Sequence, residues 1–166
     1  MPIPSDGRKW TTNECRIKMD PPGLDPQWRP TVLAAADMWN AAGANFRFVE
    51  DSASSNHVAA YDLGRWNGWI ALTQTRPKTP NSALTSATVL VNLHYGWNPS
   101  HPSVQSSPQG QAYDLQTVVA HELGHALHLG DDNSPGSTAL MKGSIKPGEV
   151  RNLSRDDTSA IKLLYP

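Results

Sequence analysis

Residues 121–131 read His-Glu-Leu-Gly-His-Ala-Leu-His-Leu-Gly-Asp, and within them His121, Glu122 and His125 set two imidazoles four positions apart with a carboxylate directly after the first. On an α-helix, residues four apart lie on one face. Both rings can therefore offer a nitrogen to one metal ion, at about 2.0–2.1 Å for zinc. Glu122 is offset by about 100° around the helix axis. Its carboxylate then lies beside the metal, where it can take a proton from water that the metal acidifies. The chemistry implied is metal-assisted hydrolysis with a carboxylate as general base.

By composition alone such a five-residue pattern arises in on the order of one chain in a few hundred of this length, so its frame matters. Leu115, Val119, Leu123 and Ala126 recur at helical spacing on the face opposite the histidines, as in a helix with one side in the core and the other lining a cleft. Asp114 stands where an N-cap would be. A surface helix with incidental histidines is the competing reading, and the pattern within this frame favours the metal site over it. A catalytic zinc keeps about three protein ligands and one open position, and this helix supplies two. His128 returns to the same face, but about 10 Å along the axis, too far for one metal. The helix must end near His128, and Gly130 followed by Asp131 and Asp132 provides a flexible joint and oxygen ligands.

The run resembles the extended motif of the metzincins, His-Glu-x-x-His-x-x-Gly-x-x-His, in which Asp replaces the last His in snapalysin-like members. Asp131 occupies that last position and His128 occupies the place of the family Gly. The resemblance implies a zinc held by His121, His125 and Asp131, with a turn at His128 in a left-handed conformation. Such a φ is uncommon outside glycine, with His among the enriched exceptions, and costs about 1–3 kcal/mol. A turn shifted to Gly130 would instead bring Asp132, His128 or a residue outside the run to the metal. Downstream, Ala139-Leu140-Met141 resembles the Met-turn that passes beneath the zinc, with Met141 as its floor. The segment from Leu153 to Tyr165 resembles the closing helix of the matrixins, and Ser154 with Asp157 forms a capping-box-like pair that gives this helix a start of its own.

Elements able to position such a site are legible upstream. Arg16 to Met19 reads as a first strand, with Cys15 as a strand residue. Pro30 to Ala42 reads as a helix with Val32, Ala35, Ala36 and Trp39 on one face and Gly43 as its stop. Asn45 to Glu50 alternates Phe46 and Phe48 with polar neighbours as a strand does. His57 to Tyr61 and Gly68 to Thr73 are further short strands, and Ser86 to Leu93 is a stronger one, while 74–85 and 98–112 read as long loops rimming the cleft. This order resembles the matrixin catalytic domain over nearly the whole chain. It implies an α+β metzincin (zincin-like) fold: a twisted mixed sheet of about five strands with two long helices, active-site helix, Met-turn and C-terminal helix. Residues 1–166 would form one catalytic domain, with an upper part of about 1–130 and a lower part of about 131–166.

Composition narrows the partners. The chain has 166 residues and a net charge of −1 with no basic run, which excludes nucleic acid and an anionic membrane surface as expected partners. No apolar stretch approaches the roughly 20 residues of a membrane span, and Met1-Pro2-Ile3-Pro4 begins no signal peptide. If the protein is secreted or extracellular, this would be a mature or trimmed form. Cys15 is the only cysteine, so no internal disulfide can form, and its neighbours do not match the zinc-blocking motif of matrixin propeptides. His57, His94 and His101 lack the spacing of a structural zinc site and read as surface or strand residues. Asp51, Asp62 and Asp132 form no legible ligand loop, which leaves Ca2+ open.

The function implied by the resemblance is that of a zinc metalloendopeptidase with one catalytic Zn2+, Glu122 as base and a peptide or protein as substrate, acting as a monomer. Gly68, Trp69, Ile70, Ala71, Leu72 and Thr73 match the family's substrate-pairing edge strand, and the segment Met141 to Val150 bounds the pocket after the cleaved bond. Two rival readings are a zinc-dependent peptide-binding protein without turnover and a hydrolase of small amides.

Overall fold

The computed structural model describes residues 3–20, 23–65, 68–77, 79, 82–99 and 112–166. Strand β1 (Glu14–Ile17) pairs in parallel with β2 (Arg47–Glu50), Glu14 facing Arg47 and Ile17 facing Glu50. Strand β3 (His57–Tyr61) pairs in parallel with β5 (Leu84–Asn92), which pairs antiparallel with β4 (Ala71–Pro77). The two pieces meet where Lys18 leaves β1: its N–H donates to the Asn56 carbonyl at 2.8 Å and its carbonyl accepts from Val58 N at 3.0 Å. The result is a mixed sheet in the order β2-β1-β3-β5-β4, with antiparallel β4 at its edge. That handover explains why β1 begins and ends two residues before the expected Arg16 to Met19: from Lys18 onward the backbone pairs with β3. Cys15 is buried within β1, and burial pushes its thiol up to about 12.

Two helices pack on the sheet and on each other. Helix α1 (Arg29–Asn40) buries Thr31, Val32, Ala35, Ala36 and Trp39, the face its spacing predicts. It ends before Ala42 because the Asn40 side chain turns to the next strand, donating to Phe48 O at 3.0 Å and accepting from Phe48 N at 2.7 Å. Gly43, at φ 76°, completes the stop. Helix α2 (Leu115–Ala126) buries Leu115, Val119, Leu123 and Ala126, and Trp39 Nε1 donates to Ala120 O at 2.7 Å across the α1–α2 contact. A short parallel pair, β6 (Trp97–Asn98) with β7 (Tyr113–Asp114), precedes α2. Helix α3 (Arg155–Leu164) closes the chain, and one apolar cluster from Ile3 to Tyr165 joins the three helices to β1, β2, β3 and β5.

The expected loop at 74–85 is mostly strand, and only 78–83 connects β4 to β5. Its polar residues mark an edge strand, not a loop: the side chains of an edge can stay wet while the main chain pairs inward. Pro77 sits at a register shift beyond Arg76, where a missing N–H is tolerated. The expected strand from Gly68 accordingly begins at Ala71, and Gly68 stands before it at φ 69°. Most of the other expected loop, 98–112, and His101 within it, lie outside the described residues. Among the described residues, no helix is long and apolar enough to cross a membrane.

Candidate active site

Helix α2 is fixed at its start by Asp114, whose carboxylate accepts from Thr117 N at 2.9 Å and from Thr117 Oγ1 at 2.6 Å. About two and three turns on from Asp114, His121 and His125 stand with ring centroids 4.7 Å apart and rings perpendicular. His121 Nδ1 lies 2.9 Å from the Leu140 carbonyl and His125 Nδ1 lies 2.8 Å from the Leu129 carbonyl. A carbonyl only accepts, so each Nδ1 carries a proton, and in the neutral ring each Nε2 has its lone pair for a metal. Both Nε2 atoms point at Asp131 Oδ1, at 3.3 and 3.4 Å. The three donor atoms lie within 4.8 Å of one another, the only such group among the described residues. Two imidazole nitrogens and one carboxylate oxygen suit zinc by ligand chemistry and by number.

Electrostatics agree with that donor set. Hydrogen bonds from His121 and His125 hold the Asp131 carboxyl well below the usual carboxylate range, outweighing its partial burial. Burial alone would lower the His125 pKa, but Asp131, Glu122 and the Leu129 carbonyl together raise it. The first shift favours the negative carboxylate and the second the protonated His125 ring, each through the charge of the other.

The turn after α2 decides which residue reaches the histidines. Leu127 caps the helix, Leu129 N donates to Gly124 O at 3.1 Å, and His128 sits at φ 66°, alone among the described non-glycine residues in the left-handed region. The reversal is therefore at His128 and not at Gly130, and it is Asp131 that swings back. Asp132 points elsewhere, accepting from Ser134 Oγ at 2.5 Å and Ser137 Oγ at 2.6 Å. The His128 ring turns to Asp6, with Nδ1 2.8 Å from Asp6 Oδ1.

Met141 is fully buried under α2. A Cβ added to Gly124 would stand 2.2 Å from Met141 Sδ and 2.9 Å from Trp39 Cζ2, so only glycine lets the floor approach the helix this closely. The sequence carried a signal for this: glycine inside a helix costs about 0.5–1 kcal/mol against alanine and asks for a packing reason. Asp157 does more than cap α3. Its carboxylate accepts from Ser154 N at 2.7 Å, Leu140 N at 2.8 Å and Met141 N at 3.1 Å. The helix cap thus holds the Met141 turn, whose Leu140 carbonyl in turn orients His121.

Glu122 is buried beside the histidines, and Thr73 Oγ1 on β4 lies 2.6 Å from its Oε2 and 2.9 Å from its backbone carbonyl. Gly68, Trp69, Ile70, Ala71, Leu72 and Thr73 all line one wall of a cleft of 860 Å³, with His121, Glu122, His125 and Asp131 also lining it. Asn92, fully buried, pins the approach to that wall: it accepts from Leu63 N at 2.9 Å and His94 N at 3.1 Å, and donates to Gly64 O and Trp69 O, both at 2.9 Å. The facing wall includes Val118, Ser144 and Ile145. Arg151 ties that segment together, donating to the carbonyls of Lys142, at 2.9 Å, and Ser144 while pairing with Glu149 at 2.8 Å. Neither Asn92 nor Arg151 belongs to a motif, and the sequence gives no sign of either role. His57 and His94 take no part in the site: His57 Nδ1 meets Ser55 O, and His94 stands with Asp62 and Arg65 near the surface.

A family model described as Matrixin matches residues 8–166. Metalloendoproteinase 1 of Glycine max is 43% identical over 63 residues, covering 37% of this chain and 20% of that protein. Matrix metalloproteinase-25 of Homo sapiens is 36% identical over 61 residues, covering 36% of this chain and 11% of that protein. The extracellular small neutral protease of Streptomyces lividans is 28% identical over 118 residues, 71% of this chain and 42% of that protein. The chain thus spans less than half the length of each of these relatives. It belongs to the matrixin family and has the metzincin fold of that family's catalytic domain.

Proposed function

We propose that this matrixin is a zinc-dependent endopeptidase that hydrolyses extended peptides, with His121, His125 and Asp131 as the zinc ligands and Glu122 as the general base. The observation that carries the reading is the convergence of both Nε2 atoms and Asp131 Oδ1 in a cleft walled by a sheet edge. When bound, zinc supplies Lewis-acid chemistry, acidifying the attacking water and polarising the scissile carbonyl. The Glu122 carboxylate takes the proton from that water and delivers it to the leaving amine nitrogen. Thr73 steadies this carboxylate through Oε2, which keeps its other oxygen available for the transfer. The outer edge of β4 offers main-chain donors and acceptors to an extended substrate, a mode that gives affinity with little sequence preference. A hydrolase of small amides would have no use for such an edge.

Residues 1–166 act in this reading as one catalytic domain, with α2 at the base of an upper part and the Met141 turn and α3 in a lower part. The protein works outside the cell on peptide or protein substrates, as a monomer. Incubation with a mixed peptide library, read by mass spectrometry with and without a chelator, tests the proposal. Internal cleavage that the chelator abolishes and zinc restores is the expected result. Peptides left uncut by protein that carries zinc would overturn it.

A further inference from the structure

The segment before β1 lies across the turn that carries Asp131. It is anchored in the core at two points: Ile3 and Trp10 are buried, and Trp10 Nε1 donates to Ala126 O, at the end of α2, at 2.9 Å. Between these anchors three consecutive residues hold three consecutive residues of the turn in antiparallel order. Pro4 O accepts from Gly130 N at 2.7 Å, Ser5 bridges to Leu129, and Asp6 Oδ1 lies 2.8 Å from His128 Nδ1. The approach is close enough that a Cβ on Gly130 would stand 3.1 Å from Pro4 Cγ. Asp6 is itself oriented, its Oδ1 accepting from Arg8 N at 3.0 Å and its Oδ2 lying 3.2 Å from Arg8 Nε.

His128 is the residue that most needs holding. It sits at φ 66°, a conformation that disfavours any side chain, at the motif position where the metzincins carry glycine. Its neighbours are the ones the site depends on. The Leu129 carbonyl orients His125, and Asp131 supplies the carboxylate. An ionised carboxylate only accepts, so the imidazole Nδ1–H donates to Asp6, and the contact fixes both the ring and the backbone beneath it.

We propose that Asp6 is a positioning residue of the metal site, clamping His128 in its left-handed turn so that Leu129 O and Asp131 are held where the histidines need them. The inference rests on the ligand set proposed above. Asp6 replaces conformational freedom with a contact: where the family relies on glycine to make the turn without strain, this chain relies on a strap from its own N-terminal segment.

The test is zinc affinity by chelator competition in the parent, Asp6→Ala, Asp6→Asn, His128→Gly and the Asp6→Ala/His128→Gly double variant. Amide exchange at Gly130 in the metal-free proteins is measured alongside. The pair is partly exposed, so Asp6→Ala should weaken zinc by about two- to five-fold and speed exchange at Gly130. Asp6→Asn keeps an acceptor and should stay near the parent. In the His128→Gly background, where no clamp is needed, adding Asp6→Ala should change neither quantity. Equal affinity in Asp6→Ala and parent, or the same loss in both backgrounds, would overturn the clamp while leaving the ligand set standing. A parent that binds no zinc would overturn both.

Discussion

The two imidazoles and the carboxylate that converge at the site come from regions built on opposite principles. His121 and His125 ride on α2, where spacing alone puts them on one face and the core behind Leu115, Val119 and Leu123 fixes that face toward the cleft. Asp131 rides on a turn with no regular structure, and its place depends on contacts from distant parts of the chain: Pro4 and Asp6 on one side, and on the other Met141, whose carbonyl accepts from Asp132 N at 2.7 Å. The helix is set by local rules, the turn by tertiary ones. Substitution of the cleft-facing Glu122 on α2 should therefore act on chemistry with little change elsewhere, whereas substitutions that loosen the turn should act on stability and metal retention together.

Glu122→Gln should show the largest effect and the cleanest separation. Peptide hydrolysis should fall by about 10²–10⁴-fold while zinc content and thermal unfolding stay near the parent, because Glu122 is assigned to proton transfer and not to ligation. Retained turnover in purified Glu122→Gln protein would remove that assignment. On the other side of the comparison, Asp157→Ala strips an acceptor from Ser154 N, Leu140 N and Met141 N at once. Leaving buried donors unpaired costs about 1–3 kcal/mol each, so denaturant unfolding should show a loss of about 3 kcal/mol or more, with weaker zinc binding as the Leu140 carbonyl shifts under His121. Unchanged stability in Asp157→Ala would mean that the turn does not depend on α3.

Gly124 lies where the two regions touch. Gly124→Ala improves helix propensity yet drives a methyl into Met141 and Trp39, and the overpacking should win, destabilising by about 1–3 kcal/mol. A more stable Gly124→Ala protein would show that the floor has room to move. Met141→Leu should have the smallest effect, a loss under about 1.5 kcal/mol with zinc retained, since Met141 is a packed floor and not a ligand. Loss of zinc from well-folded Met141→Leu protein would contradict that role.

The same division explains what was legible in the sequence. Helix α2, its Asp114 cap, the buried face of α1 and the Ser154–Asp157 box follow from periodicity and capping chemistry, and all are present. The left-handed turn at His128 follows from motif alignment. Sequence and structure part where pairing overrides composition: Thr-Gln-Thr-Arg-Pro at the end of β4 looks like loop until β5 supplies its hydrogen bonds. Residues that act across the fold were invisible for a related reason. Thr73 meets Glu122, Asn92 gathers four backbone groups and Asp6 meets His128 over 122 positions of sequence separation, and no local pattern encodes such meetings.

The central claim is that a turn-borne Asp131 completes a site begun by α2, and zinc affinity across Asp131→Ala, Asp132→Ala and His128→Ala tests it most directly. With Asp131 as third ligand, Asp131→Ala should lose zinc affinity severely. The other two should stay within about ten-fold of the parent, because Asp132 bonds Ser134 and Ser137 and His128 bonds Asp6. An Asp131→Ala protein that binds zinc as tightly as the parent, while Asp132→Ala or His128→Ala does not, would contradict the account.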